Sequence, residues 1–278
     1  MPRGVSRHLS KLRLPLLLAM NRAVWLASLT ATAIGAYVVA PAALASGQPD
    51  AMGGMPIDGR AAVGALFTSS NGILGSHFCT ASVVSSPAGN LLITAAHCLQ
   101  GRSLSPAGSI VFAPGYHDGR FPNGVWMVTT EYVDAAWSTD QNPDDDVAFL
   151  VVGRKGTHIE QRTGAETLKV GEPAQMVQVV GYPDQTNDPI TCTAQAHIFS
   201  PREMVFDCDN FTNGTSGGPF LADVNPRTGE GSVIGVIGGY ENGGDTPNVS
   251  YSPRFFSVIL ALYKTAVSES RPAPSGSA

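Results

Sequence analysis

Residues 212–220 read T-N-G-T-S-G-G-P-F, a single serine, Ser216, among three glycines and closed by a proline. Glycine loses backbone entropy and packs nothing, so a cluster of it marks a sharp bend or a close approach. A serine hydroxyl becomes a nucleophile only when a base takes its proton. The usual base is an imidazole, oriented by a buried carboxylate. Of the six histidines, His8 lies near the start of the chain. His77, His117, His158 and His197 stand in polar or turn contexts and read as solvated or capping residues. His97 differs: it follows the apolar run L-L-I-T-A-A and precedes Cys98, where a disulfide would hold the chain beside it. In N-P-D-D-D-V-A-F-L-V-V, Asp146 is the aspartate nearest the apolar strand, while Asp144 and Asp145 read as turn caps or solvated groups. The candidate chemistry is nucleophilic: Ser216 attacks, His97 takes the proton, Asp146 orients the ring.

Such side chains, far apart in sequence, need a rigid frame. From residue 61 onward the chain is a series of short apolar runs broken by turn residues. A-A-V-G-A-L-F (61–67), T-A-S-V-V (80–84), N-L-L-I-T-A-A (90–96), S-I-V-F-A-P (109–114) and V-W-M-V-T-T-E-Y-V (125–133) suit strands. So do V-A-F-L-V-V (147–152), A-Q-M-V-Q-V-V-G-Y (174–182), E-M-V-F-D-C (203–208) and S-V-I-G-V-I-G-G-Y (232–240). S-P-A-G-N, P-G-Y-H-D-G and P-D-Q-T-N-D-P between them are turns. One helical period appears late, at 254–267, with Phe255, Val258, Leu262 and Tyr263 on one side. The pattern is all-β, a sandwich or a barrel, with a closing helix. Residues 46–61 read as a loose tail or short propeptide, and 268–278 as a disordered tail.

The chain has 278 residues, 43% hydrophobic and 14% charged, enough for one large domain or two small ones with a core. No basic stripe is present, which argues against nucleic acid as a partner. Residues 1–45 carry Arg3, Arg7, Lys11, Arg13 and Arg22 and no acid, then an apolar run from Ala23 to Ala40 and the small-residue end Ala43-Leu44-Ala45. That is the form of a secretory signal peptide cleaved after Ala45. The segment from Met20 is complete by itself, so Met20 is an alternative start to Met1. Its removal leaves 12 basic and 22 acidic residues, a net charge of −10, which disfavours anionic surfaces. Cys79, Cys98, Cys192 and Cys208 are an even number in an exported chain and allow three pairings; spacing favours the local pairs 79–98 and 192–208. No C-x-x-C or H-x-x-x-H accompanies them, so zinc is disfavoured and no cofactor or metal is expected.

T-A-A-H-C (94–98), D-V-A-F-L (146–150) and G-T-S-G-G-P (214–219) resemble the three signature segments of trypsin-like, chymotrypsin-fold serine peptidases, in that family's order. The stretch 75–98 is similar to bacterial secreted members, including relatives of V8-like glutamyl endopeptidases. The resemblance covers about residues 62–267. It implies two six-stranded antiparallel β-barrels with the active site between them, His97 and Asp146 on the first and Ser216 on the second. It implies disulfides 79–98 beside the histidine and 192–208 beside the nucleophile, and an oxyanion hole from the amides of Gly214 and Ser216. The expected protein is a secreted, extracellular, monomeric endopeptidase acting on protein or peptide substrates and not held to a membrane after cleavage.

The resemblance has gaps. Thr215 stands where animal digestive members have an aspartate that receives a new amino terminus, so that activation switch is expected to be absent. Asn210 stands where members selective for basic side chains have an acid. Ile237 or Gly238 stands where glutamyl-specific relatives have a histidine. Gly238 and Gly239 are expected to bind substrate backbone as an added strand; with Asn210 and Ile237 they form the expected substrate-binding set. Two other readings compete: a non-catalytic binding module on the same fold, and a protease anchored through residues 23–40.

Overall fold

Continuous apolar runs mark strands buried on both faces, and two of them set the architecture. The computed structural model describes residues 52–102, 104, 109–154 and 156–270. The expected signal peptide, its cleavage site, the choice between Met1 and Met20, and residues 271–278 lie outside them. The strands in chain order are β1 (Met55–Pro56), β2 (Val63–Ser70), β3 (Ile73–Val84), β4 (Leu91–Thr94), β5 (Ser109–Pro114), β6 (Trp126–Val133), β7 (Ala148–Gly153) and β8 (Thr167–Leu168). They continue with β9 (Met176–Gly181), β10 (Ile190–Gln195), β11 (His197–Ser200), β12 (Glu203–Asp207), β13 (Pro219–Ala222), β14 (Ser232–Val236) and β15 (Val249–Pro253).

Six of these close a barrel in the order β2-β3-β4-β7-β6-β5. Side chains alternate across a strand, so β4 and β7 serve two cores. Leu92, Leu150 and Val152 point into the barrel with Phe112 and Trp126. Leu91, Ile93, Phe149 and Val151 face outward, under the C-terminal helix and against Leu221 and Val236 of the second half. The second half has its own core around Val179, Ile190, Phe206, Phe211 and Phe220. Its strands form a six-stranded sheet, β1-β10-β9-β13-β14-β8, and a three-stranded sheet, β11-β12-β15. The fold is the expected chymotrypsin-like one, with the second half built from two hydrogen-bonded sheets rather than one closed ladder. Both expected local disulfides are present, Cys79–Cys98 and Cys192–Cys208.

Several expectations change. The segment read as a loose N-terminal tail is docked from residue 52: β1 pairs with β10, the Gly54 N–H donates to Asp209 O at 2.8 Å, and the Asp209 N–H donates to Met52 O at 2.9 Å. The helix runs Ser257–Glu269, so residues 268 and 269 belong to it and not to the tail. Its buried face is Ile259, Leu262 and Ala266; Phe255 is buried just ahead of it, and Val258 and Tyr263 are half-buried. His77 is buried, not solvated, and bonds Pro183 O through Nε2 at 2.9 Å. Among the described residues no helix is long and apolar enough to cross a membrane.

Glu166 joins the two halves. Its backbone bonds Val83 and Ser85 at the end of β3, and its carboxylate accepts the Gly231 N–H before β14. It is fully buried, and Oε1 has no partner among the described residues. Burial pushes its carboxyl up to about 7, with the Gly231 N–H and Arg60 opposing. The unfolded chain therefore releases this proton at lower pH than the folded protein does. The stability tied to Glu166 is highest below the unfolded carboxyl range and falls as pH rises toward 7, by on the order of 3 kcal/mol at most. In thermal melts at pH 5 and pH 8, the wild type should lose more Tm on going alkaline than Glu166→Gln does. Parallel pH dependence in the two proteins would refute this.

Candidate active site

A short 3-10 turn, Ala96–Leu99, follows β4 and carries His97, with Cys98 tied to Cys79 on the neighbouring strand. A second 3-10 turn, Pro143–Asp145, is capped by Asn142 and delivers Asp146 to the start of β7. Asp146 is fully buried. Its Oδ1 accepts the His97 backbone N–H at 2.8 Å, and its Oδ2 lies 2.7 Å from His97 Nδ1. Oδ2 also accepts the Gly239 N–H from the second half at 2.8 Å. A carboxylate accepts only, so Nδ1 carries the proton of the neutral ring and Nε2 is left as the acceptor. The neighbouring aspartates are not solvated caps. Arg202 pairs with Asp144 at 2.9 Å and with Asp145 at 3.2 Å. Asp145 is buried, which pushes its carboxyl up while Arg202 opposes.

Ser216 sits in the turn before β13. The first barrel holds this turn through Thr80, a fully buried residue beside Cys79. The Thr80 N–H donates to Ser216 O at 2.7 Å, and Thr80 Oγ1 donates to Gly214 O at 2.9 Å. From the other side, the Gly217 N–H donates to Ile237 O at 2.7 Å and the Ile237 N–H to Gly218 O at 2.8 Å. Gly217 has φ +80° and leaves no room for a Cβ between Thr94 and Thr80, which explains one glycine of the cluster. Gly214 has φ +92°, and a Cβ there would lie 2.5 Å from both Asp184 N and Tyr182 O. The Asp184 N–H donates to Asn213 O at 2.8 Å. In a trans peptide the Gly214 N–H then points the opposite way. Among the described residues, neither the Gly214 nor the Ser216 amide donates a hydrogen bond to the protein. Thr215 is buried and turns its hydroxyl onto Thr212 O at 2.7 Å.

His97, Gly214 and Ser216 line one open cleft of about 750 Å³. No hydrogen bond joins the His97 ring to the Ser216 hydroxyl here, a link that ligand-free sites commonly leave loose. Of the expected substrate-binding residues, Ile237 lines the cleft and Asn210, Gly238 and Gly239 do not. Asn210 instead faces the docked N-terminal segment, its Nδ2 3.5 Å from Gly54 O. The Gly238 N–H is used by Tyr251 O at 3.0 Å and that of Gly239 by Asp146, so neither amide is free to pair with an added strand. The wall that sequence reading missed is Glu241 to Pro247. Its residues E-N-G-G-D-T-P carry no periodicity, and four of them, Glu241, Asn242, Gly243 and Gly244, have positive φ.

The profile of the trypsin-like peptidase domain matches residues 79–236. Among solved structures, a thermostable serine protease, AL20, from an extremophilic microorganism is 27% identical with a TM-score of 0.63, covering 75% of this chain and 97% of its own. The protease Anisep from Arthrobacter nicotinovorans is 23% identical with a TM-score of 0.65, covering 77% and 99%. A Glu endopeptidase is 16% identical with a TM-score of 0.62, covering 78% and 97%. No curated protein sequence is significantly similar. Given the matched profile and the fold, this chain belongs to the trypsin-like peptidase domain family and is a serine-type peptidase.

Proposed function

We propose that the protein is a secreted endopeptidase that cleaves peptide bonds through Ser216, His97 and Asp146. The observation that carries this reading is the His97 ring bonded to the buried Asp146 on the cleft that Ser216 also lines, where the Gly214 and Ser216 amides are unengaged. Ser216 Oγ attacks the peptide carbonyl carbon as its proton passes to His97 Nε2. The carbonyl electron pair moves onto oxygen, where the Gly214 and Ser216 N–H groups receive it. Collapse breaks the C–N bond, and His97 returns the proton to the leaving amine. Water, deprotonated by His97, then hydrolyses the acyl-enzyme, while Asp146 stabilises each imidazolium. Two disulfides suit an oxidising compartment. Together with the signal-like start they support removal of residues 1–45 and export; the peptidase body expected over 62–267 takes in the docked segment from residue 52 and the helix to Glu269. We take the working form as a monomer.

The cleft also suggests a substrate preference. Its buried wall beside Ser216 is neutral: Phe211, Thr215, Ile237 and Gly243. The charged lining residues other than His97, namely Arg102, Asp184, Glu241 and Asp245, are all exposed at its rim. A charged side chain pressed against the neutral wall would lose hydration without a buried partner. The residue before the cut bond is therefore an uncharged one.

A fluorophosphonate probe should label Ser216 and lose that label in Ser216→Ala and His97→Ala. An intact wild type that neither labels nor cleaves any peptide would make the protein a binding module instead. Gly214→Ala disturbs the peptide whose N–H faces the developing oxyanion and should lower kcat by roughly 10²–10³, the typical cost of one lost donor. A variant with wild-type kcat would remove Gly214 from that role. In a peptide library, cuts after Leu, Met or Phe should outpace cuts after Glu or Arg by about tenfold or more, the scale that pocket contacts provide. Equal rates after Glu or Arg would overturn the neutral-pocket reading.

A further inference from the structure

Glu203, the first residue of β12, is a buried carboxylate that the proposed mechanism does not use. Its Oε1 accepts the Tyr240 N–H at 2.7 Å. The preceding amide, that of Gly239, donates to Asp146 Oδ2 at 2.8 Å. Two consecutive N–H groups of one turn are thus held by two carboxylates from different parts of the chain. The glycines make this possible. A Cβ on Gly238 would meet Asp146 Oδ2 at 2.9 Å, and a Cβ on Gly239 would run into Glu203 Oε1. Gly239 has φ +83°, and Glu241 and Asn242 just after it also have positive φ. A segment in so uncommon a conformation keeps its shape only when its surroundings over-determine it.

We infer that Glu203 is a positioning residue of the catalytic centre: by anchoring the Tyr240 amide it aims the Gly239 amide at Asp146, and so holds the carboxylate that orients His97. The inference rests on the reading of Asp146 and His97 as triad partners. An ordinary turn acceptor would need no carboxylate here. Burial pushes the Glu203 carboxyl up, the Tyr240 N–H opposes, and the charges of Asp144 and Asp146 push it further up. Tyr251 on the neighbouring strand feels its charge as well, and Arg202, the residue before it, pairs with Asp144 and Asp145.

The test separates geometry from charge. Glu203→Gln keeps an oxygen for the Tyr240 N–H and removes the charge. Its kcat should stay within about threefold of wild type, because the amide keeps its anchor. Glu203→Ala removes the acceptor as well. Its kcat should fall about tenfold or more with KM within twofold, and the low-field proton resonance of the His97–Asp146 bond should broaden or vanish. Should the alanine variant fail to fold, Glu203→Asp, one methylene too short to reach, should show the same kcat loss. Wild-type kcat with an unchanged low-field resonance in the alanine or aspartate variant overturns the inference, and so does a change in KM alone. Those outcomes differ from failure of the triad itself, in which wild type and Ser216→Ala would be equally inert.

Discussion

One buried carboxylate organises this molecule. Asp146 has no exposure to water, and an ionised carboxylate in that position is costly unless its oxygens are filled. They are filled by three N–H groups, two from His97 and one from Gly239. The first two come from the turn after β4 and the third from the turn after β14. The same atom that fixes the imidazole therefore also joins the two halves of the chain. Any shift of one half against the other would leave Asp146 short of a donor, so the relative placement of the halves and the ring orientation are not independent.

The complementary joint is Thr80. It lies on the first barrel, yet its N–H and hydroxyl hold the carbonyls of Ser216 and Gly214 in the second. Its hydroxyl accepts the Tyr182 N–H at 2.9 Å, and its own carbonyl is held by Thr94 Oγ1 at 2.7 Å. Cys79, beside it, is the disulfide partner of Cys98, beside His97. The histidine turn and the serine turn thus share one support, with Cys79 bracing the first and Thr80 the second. This is a structural reason for C-T-A-S to sit opposite T-A-A-H-C, and residue types alone did not single out Thr80.

What could be read in advance follows from how local each signal is. His97 and Asp146 stand at the ends of apolar strands, and the structure brings them together. The central strands of the first barrel, β4 and β7, are apolar on both faces and were legible as runs. The second half was harder. I-T-C-T-A-Q forms β10 and P-F-L-A forms β13, but the first is half polar and the second only four residues long. The cleft wall from Glu241 to Pro247 is set by backbone conformation rather than by side-chain periodicity. Its neighbours Gly238 and Gly239 were read for their backbone alone, whereas a Cβ at either would also meet a carboxylate, that of Asp146 or Glu203. His77 looked solvated because it follows Gly75 and Ser76. The rings of Phe67 and Tyr116, which bury it, come from elsewhere in the chain.

The N-terminal segment shows the same limit with a functional side. Its Gly, Pro and Asp content lacks any apolar period, so nothing local demands a strand. The demand comes from the edge of β10 and from Asp209, whose free N–H and C=O groups it satisfies. Gly54 is needed there because a Cβ would meet Ile190 Cδ1 at 2.8 Å and the Phe211 ring at 3.2 Å. Phe211 belongs both to the second core and to the cleft wall beside Ser216. The segment thus reaches the cleft wall through the Phe211 ring, with Asn210 turned toward the segment. Asn210, which the family resemblance assigned to substrate selection, here contacts the Gly54 carbonyl of this segment.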